Sequence, residues 1–461
     1  MTDQPTSRPR LVQRVWRSIF RGPVAPRTDQ ERKQAIVHNL ILHLRPVRVP
    51  ASTLRYTHTF GLGGMSLVLV LVLVLTGALL RFAYEPAPGA AYESIVRLQD
   101  GLLFGSLVRS IHYWSANFLI LVVVLHLLRT YFTGAYHPPR QFNWVIGLAL
   151  LLCVIASNFT GYLLPWDQLS YWAITISTGM LEYVPLAGDW LRRLARGGAE
   201  IGQPTLTTFY TLHTTVVPVL ILTLMAFHFW RVRKARGVVV PRRPGEDAAS
   251  DPERVLTLPY LLARELAVAL ALIAVVMVTA ALVGAPLGEA ANAGMSPNPA
   301  KAPWYFMGFQ ELLLHFHPLF AVVVLPLAAA GAFLAVPYYR YDRDPSGIWF
   351  ASMAGRRLAV AAAVAGLAIT PVLVVLDEYL IDLPSWLPWL PASVSNGLLP
   401  VLLLGGALWG ATAWVRRRHA ATDNEVGQTM FVFFAVCFAT LTAIGVWFRG
   451  PGMSLVWPWN R

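Results

Sequence analysis

Charge is scarce in this sequence. Only 13% of its 461 residues are Asp, Glu, Lys or Arg, against roughly 25% in an ordinary soluble domain. Hydrophobic residues make up 56%. Those proportions exclude a water-soluble fold. They predict an all-α polytopic membrane protein, in which each helix satisfies its own backbone groups inside lipid.

Cysteine is almost missing. Cys153 and Cys437 stand far apart in apolar runs. That excludes a disulfide framework and a multi-cysteine metal site. No C-x-x-C-H occurs, so ordinary c-type haem attachment is excluded too. The N-terminal stretch lacks the short apolar core and small-residue cleavage site of a removable signal peptide. No repeat relates the two halves of the chain.

Long apolar runs are what the sequence does have. Stretches of roughly 20 apolar residues, enough to cross a bilayer, fall near 62–82, 112–131, 143–165, 209–231, 263–284, 318–338, 357–376, 396–415 and 428–448. With the N-terminus inside, most of the 37 Lys and Arg gather on the inner side. The tail 1–60, "RVRKARG" at 231–237 and "RRR" at 416–418 all join that side. The positive-inside rule then predicts a cytoplasmic N-terminus, and the expected location is a bacterial cytoplasmic membrane. The net charge of +13 reads as topology and contact with anionic lipid, with nothing else to suggest nucleic-acid binding. The expected organisation is a basic tail (1–60), a four-span unit (61–237), a polar linker (238–262) and a five-span unit (263–461).

The second run, "SIHYWSANFLILVVVLHLLRT", carries His112 and His126, fourteen residues apart. Histidine is costly inside a membrane span and usually marks a site. Fourteen helical residues climb about 21 Å and make close to four turns, so both histidines share one face at two depths. The fourth run carries His213 and His228, fifteen apart. Both runs cross from outside to inside. His112 and His213 therefore share the outer depth, and His126 and His228 the inner. Two histidines at one depth suit one iron clamped from both sides, giving two stacked bis-histidine haem sites.

The first and third runs carry glycines at the same spacing: Gly63 and Gly77, Gly147 and Gly161. Glycine leaves room for a flat porphyrin beside a helix. Singly, each feature has a plainer reading. A membrane histidine can be a packed residue or a proton relay, and paired glycines permit helix contact. Four helices sharing one period favour haem. Arg109 and Arg129 lie a turn from His112 and His126, placed either to meet haem propionates or to snorkel to the interface.

These residues, with "GYLLPWDQLSYWA" (161–173), resemble the cytochrome b of quinol-oxidising cytochrome bc and b6f complexes. The "LPWDQ" wording and the spacing of fifteen resemble the b6f-type branch. The resemblance is nearly continuous over 60–237 and looser beyond. There "PNPAKAPWYFMGFQELL" (297–313) occupies the place of the family's outer quinol-site loop, and the last two runs extend beyond the b6f-type partner subunit. The resemblance implies a di-haem subunit of a quinol:cytochrome c type oxidoreductase with two non-covalent b haems. Quinol is oxidised outside, electrons cross through the haems, and protons are translocated. It further implies a Rieske iron–sulfur protein and a c-type cytochrome as partners, in a dimeric complex.

Tyr162, Pro165, Trp166, Pro303, Trp304 and Tyr305 offer flat apolar walls for a quinone ring, although an interfacial aromatic belt explains many such residues. Here the sequence departs from the family. The usual Pro-Glu-Trp-Tyr reads Ala302-Pro303-Trp304-Tyr305, without the glutamate that is thought to take the quinol's proton. A positioned carboxylate or histidine is the natural substitute. Glu311 is the favoured candidate, with Asp167, His315 and His317 nearby. A second departure is Gly61, which stands where b6f-type proteins have a cysteine holding an extra haem, so no covalent haem is expected. His43, His58, Arg233 and Lys234 are possible inner-side contacts for quinone or lipid. His38, His137 and His419 read as solvated or interfacial.

Two rivals stand beside this reading. A secondary transporter with a histidine proton relay predicts broken helices and no pigment. A haem-bearing anchor, passing electrons between a dehydrogenase and quinone without bifurcation, needs the haems but not the outer aromatics.

Overall fold

The computed structural model describes residues 48–241, 253–256, 260–339, 347–350 and 352–460, together with 11, 12 and 15. Most of the basic tail, including His38 and His43, and much of the linker lie outside the described residues.

Among the described residues, nine helices are long and apolar enough to cross a membrane. In chain order the longer helices are α1 (Leu62–Arg81), α2 (Ala91–Gly101), α3 (Gly105–Phe132), α4 (Gln141–Tyr162), α5 (Gln168–Gly179), α6 (Gly188–Arg196) and α7 (Gln203–Lys234). After the linker come α8 (Leu262–Leu282), α9 (Met307–His315), α10 (Phe320–Tyr338), α11 (Met353–Tyr379), α12 (Val394–His419) and α13 (Asp423–Trp447). The short helices α2, α5, α6 and α9 lie in the loops. One two-stranded sheet joins the flanks of the first unit, β1 (Arg48–Pro50) pairing antiparallel with β2 (Arg254–Leu256).

The spans match the apolar runs, but several helices start earlier. α3 begins at Gly105, two turns before the apolar run, because a helix carries on through polar Ser106, Arg109 and Ser110 once it leaves lipid. Asp167 caps α5 through a reciprocal box with Ser170, and Thr422 does the same for α13 with Glu425. Both satisfy backbone N–H groups that a helix start leaves open.

α1 packs along α3, and α4 along α7. Between the two histidine levels the bundle is filled by Leu69, Val70, Leu119, Ile120, Val122, Val154, Val217 and Ile221. α8 closes it with Leu272 and Val276. Lipid is as apolar as these side chains, so close packing rather than water exclusion holds them. In the second unit α13 packs along α11 and against α9. α12 buries little of its apolar length, but its first turn is docked: Gly397 lies against the Phe320 ring of α10, and the Asn396 carbonyl accepts from His317 N.

α7 is not a plain α-helix. Residues Leu212–Val216 form a π-turn, and Pro218 follows directly. Proline supplies no N–H and its ring crowds the carbonyl four residues back, and a widened turn relieves that conflict. α10 and α12 repeat the arrangement, with π-turns at Phe320–Val324 and Val394–Leu398 ahead of Pro326 and Pro400.

Candidate functional site: two histidine pairs and an adjoining cavity

The four histidines meet in two pairs. The rings of His112 and His213 have centroids 6.1 Å apart, and those of His126 and His228 are 6.5 Å apart. Imidazoles sharing one metal through bonds of about 2.0 Å place their ring centres a little over ~6 Å apart. Both distances suit that arrangement.

The π-turn explains why fifteen residues in α7 match fourteen in α3. It takes up one extra residue just after His213, so His213 and His228 return to one face. Pro218 was the sequence signal for this, and the spacing argument did not use it.

Each glycine faces one histidine. A Cβ on Gly63 would lie 3.5 Å from His126 Cε1, on Gly77 3.2 Å from His112 Cε1, and on Gly147 3.6 Å from His228 Cε1. On Gly161 it would collide with the His213 ring. All four glycines therefore clear space at the imidazoles themselves.

The ring nitrogens are poised for a metal at one level. His213 Nδ1 lies 2.9 Å from the Ser157 carbonyl oxygen, which can only accept, so Nδ1 carries the proton. His112 Nδ1 lies 2.9 Å from Thr76 Oγ1. That hydroxyl already donates to the Val72 carbonyl, so it accepts from His112. In both rings Nε2 keeps its lone pair, the state a metal-binding imidazole needs. The residues fit haem at both levels by spacing and clearance, and at the His112 level by tautomer as well.

The two arginines have other partners. Arg109 donates to Gln99 Oε1 at 2.7 Å and to the carbonyls of Ala285 and Pro286. It ties α3 to the segment after α8. Arg129 is buried and donates to the His58 carbonyl. His58 Nε2 in turn reaches the Val239 carbonyl at 2.7 Å. Burial and Arg129 lower the His58 pKa to about 4, so it is a neutral, internal residue. His137, expected to be solvated or interfacial, is buried in the loop between α3 and α4 and stacked on Tyr136. His419 stays exposed beside Trp414.

A cavity of about 140 Å³ adjoins the His213 level. Gly161 meets His213, and the next residue, Tyr162, lines the cavity. Its other walls come from α5 (Trp172, Ser177), the 297–306 loop and α9 (Phe309, Gln310). Of the six expected aromatic and proline residues, Tyr162, Pro303 and Tyr305 line it. Trp166 packs instead with Leu163, Ile174 and Phe209. Trp304 donates to Asn117 Oδ1 at 2.7 Å, and Pro165 is outside the lining. Lys301, Ser177 and Gln310 are polar lining residues that sequence reasoning did not single out. Lys301 had a signal, since it lies inside the quoted loop motif. Burial raises the Tyr305 pKa, and Tyr162 and Tyr113 add to the rise, which keeps its phenol protonated.

Neither expected carboxylate is on the cavity wall. Asp167 Oδ1 accepts from Ser170 N and Oδ2 from Gly288 N, which makes it a cap and a loop tie. Glu311 is fully buried on the other side of α9, paired with Arg449 at 2.9 Å. The physical reason is helical phase: Gln310 lines the cavity, and the next residue turns about 100° away. His315 accompanies Glu311, and His317 Nδ1 accepts from Leu319 N.

Known proteins resemble this chain in the same region. The family described as Cytochrome b/b6/petB matches residues 48–236. Cytochrome b6 of Synechococcus sp. (strain CC9605) is 43% identical over 173 residues, covering 38% of this chain and 79% of the relative. Cytochrome b6 of Prochlorococcus marinus (strain MIT 9303) matches to the same extent. A solved structure titled "Hyperthermophilic respiratory Complex III" shares the fold, with a TM-score of 0.61 at 21% identity over 90% of this chain and 95% of that one. The chain thus belongs to the cytochrome b family of the bc and b6f complexes, as a multi-pass membrane cytochrome that binds haem b and transfers electrons.

Proposed function

We propose that this cytochrome oxidises quinol in the cavity beside the His213 level and carries electrons across the membrane to the His126 level. The observation that carries this reading is the adjacency of Gly161, against His213, and Tyr162, on the cavity wall. His112 with His213 and His126 with His228 would each hold one b haem, which would supply a one-electron station at its depth. Quinol loses two electrons and two protons. One electron enters the bundle at the His112 level, and the other leaves to a high-potential acceptor of the Rieske iron–sulfur class. Two such turnovers deliver two electrons to a quinone at the opposite face, which takes up two protons from that side, while the protons of the oxidised quinol leave at the outer side, so oxidation is coupled to proton translocation. The chain works within a dimeric respiratory complex that includes a c-type cytochrome, in a bacterial plasma membrane with the N-terminus cytoplasmic.

The protein's own groups supply placement. Tyr162, Tyr305, Phe306 and Phe309 give the cavity flat walls, which suit a planar ring. Ser177, Lys301 and Gln310 supply polar contacts for its oxygens. Gln310 is itself fixed, donating to the Ala300 carbonyl and accepting from Ala302 N.

One observation favours a second reading, the haem-bearing anchor that exchanges electrons with quinone without bifurcation. Among the described residues, no carboxylate lines the cavity. Quinol-driven haem reduction in the purified complex decides between them. Bifurcated oxidation predicts that blocking the high-potential acceptor stops haem reduction through the cavity. Undiminished haem reduction would support the anchor.

A further inference from the structure

The last span and the hairpin that follows it are built against the cavity loop. A tight hairpin over 448–456 closes through Val456 N to the Phe448 carbonyl and Gly450 N to the Ser454 carbonyl. From it Arg449, only 1% exposed, reaches back into the protein. Its guanidinium grips Glu311 on α9 through Nε at 3.0 Å and Nη2 at 2.9 Å. Nη1 grips Glu378 at the end of α11 and the Met453 carbonyl. His315 joins from α9, lying 3.6 Å from Glu311 and 2.7 Å from Asp377. One arginine thus ties three elements together.

Other contacts point the same way. Gly452 N donates to Asn298 Oδ1, and Lys301 Nζ to the Val446 carbonyl at 3.2 Å. Both partners belong to the cavity loop, and Lys301 lines the cavity. The helices also meet through glycine. A Cβ on Gly308 of α9 would lie 2.8 Å from the Phe438 ring and Thr442 Oγ1 on α13. A Cβ on Gly445 of α13 would lie 2.8 Å from Met307 Cε and 3.2 Å from Glu311 Oε1. α9 is thereby pressed on α13, while Phe309, whose ring also meets Phe438 of α13, joins Gln310 and Leu313 as cavity wall.

We propose that Arg449 is a positioning residue for the quinol cavity: by holding Glu311 and Glu378 it fixes α9, and with it the cavity wall. The inference rests on the quinol-cavity reading. It gives the last span a part in substrate binding rather than in partner docking alone. Glu311 takes no quinol proton in this account, because its carboxylate is held by a guanidinium on the far side of α9.

The test is steady-state quinol oxidation by the intact complex, using a short-chain quinol that the wild type oxidises. Wild type is compared with Arg449→Gln, Arg449→Lys and Glu378→Gln, with the two haem spectra recorded for each. Arg449→Gln should raise KM for quinol about tenfold or more while both haem bands stay at wild-type intensity. Arg449→Lys should recover part of that loss, since it restores the charge without the fork. A KM unchanged in an assembled Arg449→Gln complex overturns the proposal. So does a fall in kcat alone. If Arg449→Gln does not assemble, Glu378→Gln carries the test, because it removes the charge of one of the two carboxylates that hold Arg449 while leaving the buried Glu311 pair in place. A raised KM in that variant supports the clamp, and an unchanged one overturns it. A wild-type complex that oxidises no benzoquinol or naphthoquinol overturns the cavity reading itself, and the clamp with it.

Discussion

Gly161 lies directly against His213: a Cβ added there would sit 2.7 Å from the ring's Nδ1. No flexible chain end can move aside, because that nitrogen is held by the Ser157 carbonyl. Gly161→Val should therefore displace His213 and cost most of the haem at the His112 level. The other haem should stay, since Gly63 and Gly147 are untouched. The readout is the pyridine haemochrome content per chain beside the low-temperature spectrum. Two intact haem bands in Gly161→Val would refute the role given to this glycine.

The π-turn yields a prediction that separates the two histidine helices. Between His112 and His126 α3 is a regular α-helix, so deleting Val123 rotates one histidine by about 100° relative to the other. One haem should be lost. In α7 the combination of Pro218→Ala with deletion of Thr214 should convert the widened turn to ordinary α-helix with a spacing of fourteen. Both haems should survive that change. Equal loss in the two variants would show that the π-turn does not absorb the extra residue.

The Glu311–Arg449 pair should be costly to break from one side. Removing one member of a buried ion pair strands the other, at about 3–5 kcal/mol. Glu311→Met and Arg449→Met should each lower the unfolding midpoint in detergent clearly. The double variant should recover part of the loss, because no Glu311 charge is left stranded, while Glu378 still lacks its Arg449 partner. Additive single effects would mean that the two residues do not act as a pair.

His315 adds a pH dependence to the same region. Burial opposes its charge, but Asp377 and Glu311 outweigh that and raise its pKa from 6.5 to about 9. A raised folded-state pKa stabilises the fold where the imidazole is protonated. That contribution is fully present below about pH 6.5 and fades as the pH rises through about 9. Proteolysis of the 297–306 loop should accelerate over this window in the wild type and lose its pH dependence in His315→Asn. A flat wild-type profile would contradict the assignment.

Gly61 carries a prediction about cofactor attachment. Its φ is +66°, and a Cβ there would lie 3.1 Å from Val268. A side chain at this point is strained, whatever it binds. Acid–acetone extraction should remove all haem from the chain. Retained c-type haem would overturn this.

Sequence pattern carried most of the spans and the paired histidines, because a helix in lipid must be apolar along its length and repeats with one period. The earlier start of α3 at Gly105 was hidden, since helix geometry does not stop where apolarity does. The cavity was only half legible. Tyr162, Pro303 and Tyr305 line it, while Trp166 and Trp304 serve packing and a hydrogen bond. Aromatic character shows that a residue suits a wall, but not which way it faces. Glu311 shows the same limit. A spacing of six residues from Tyr305 fixed its neighbourhood, yet α9 turned it toward Arg449, 138 positions away in sequence. No local pattern encodes that partner.

The most direct test of the central claim is a reduced-minus-oxidised spectrum with a redox titration of the purified cytochrome, beside His112→Ala and His126→Ala. The account predicts two b-type haems with separate midpoints in the wild type, one abolished by each substitution while the other persists. A single haem in folded wild-type protein, or the loss of both haems from either substitution in a protein that remains folded, would contradict two independent histidine pairs.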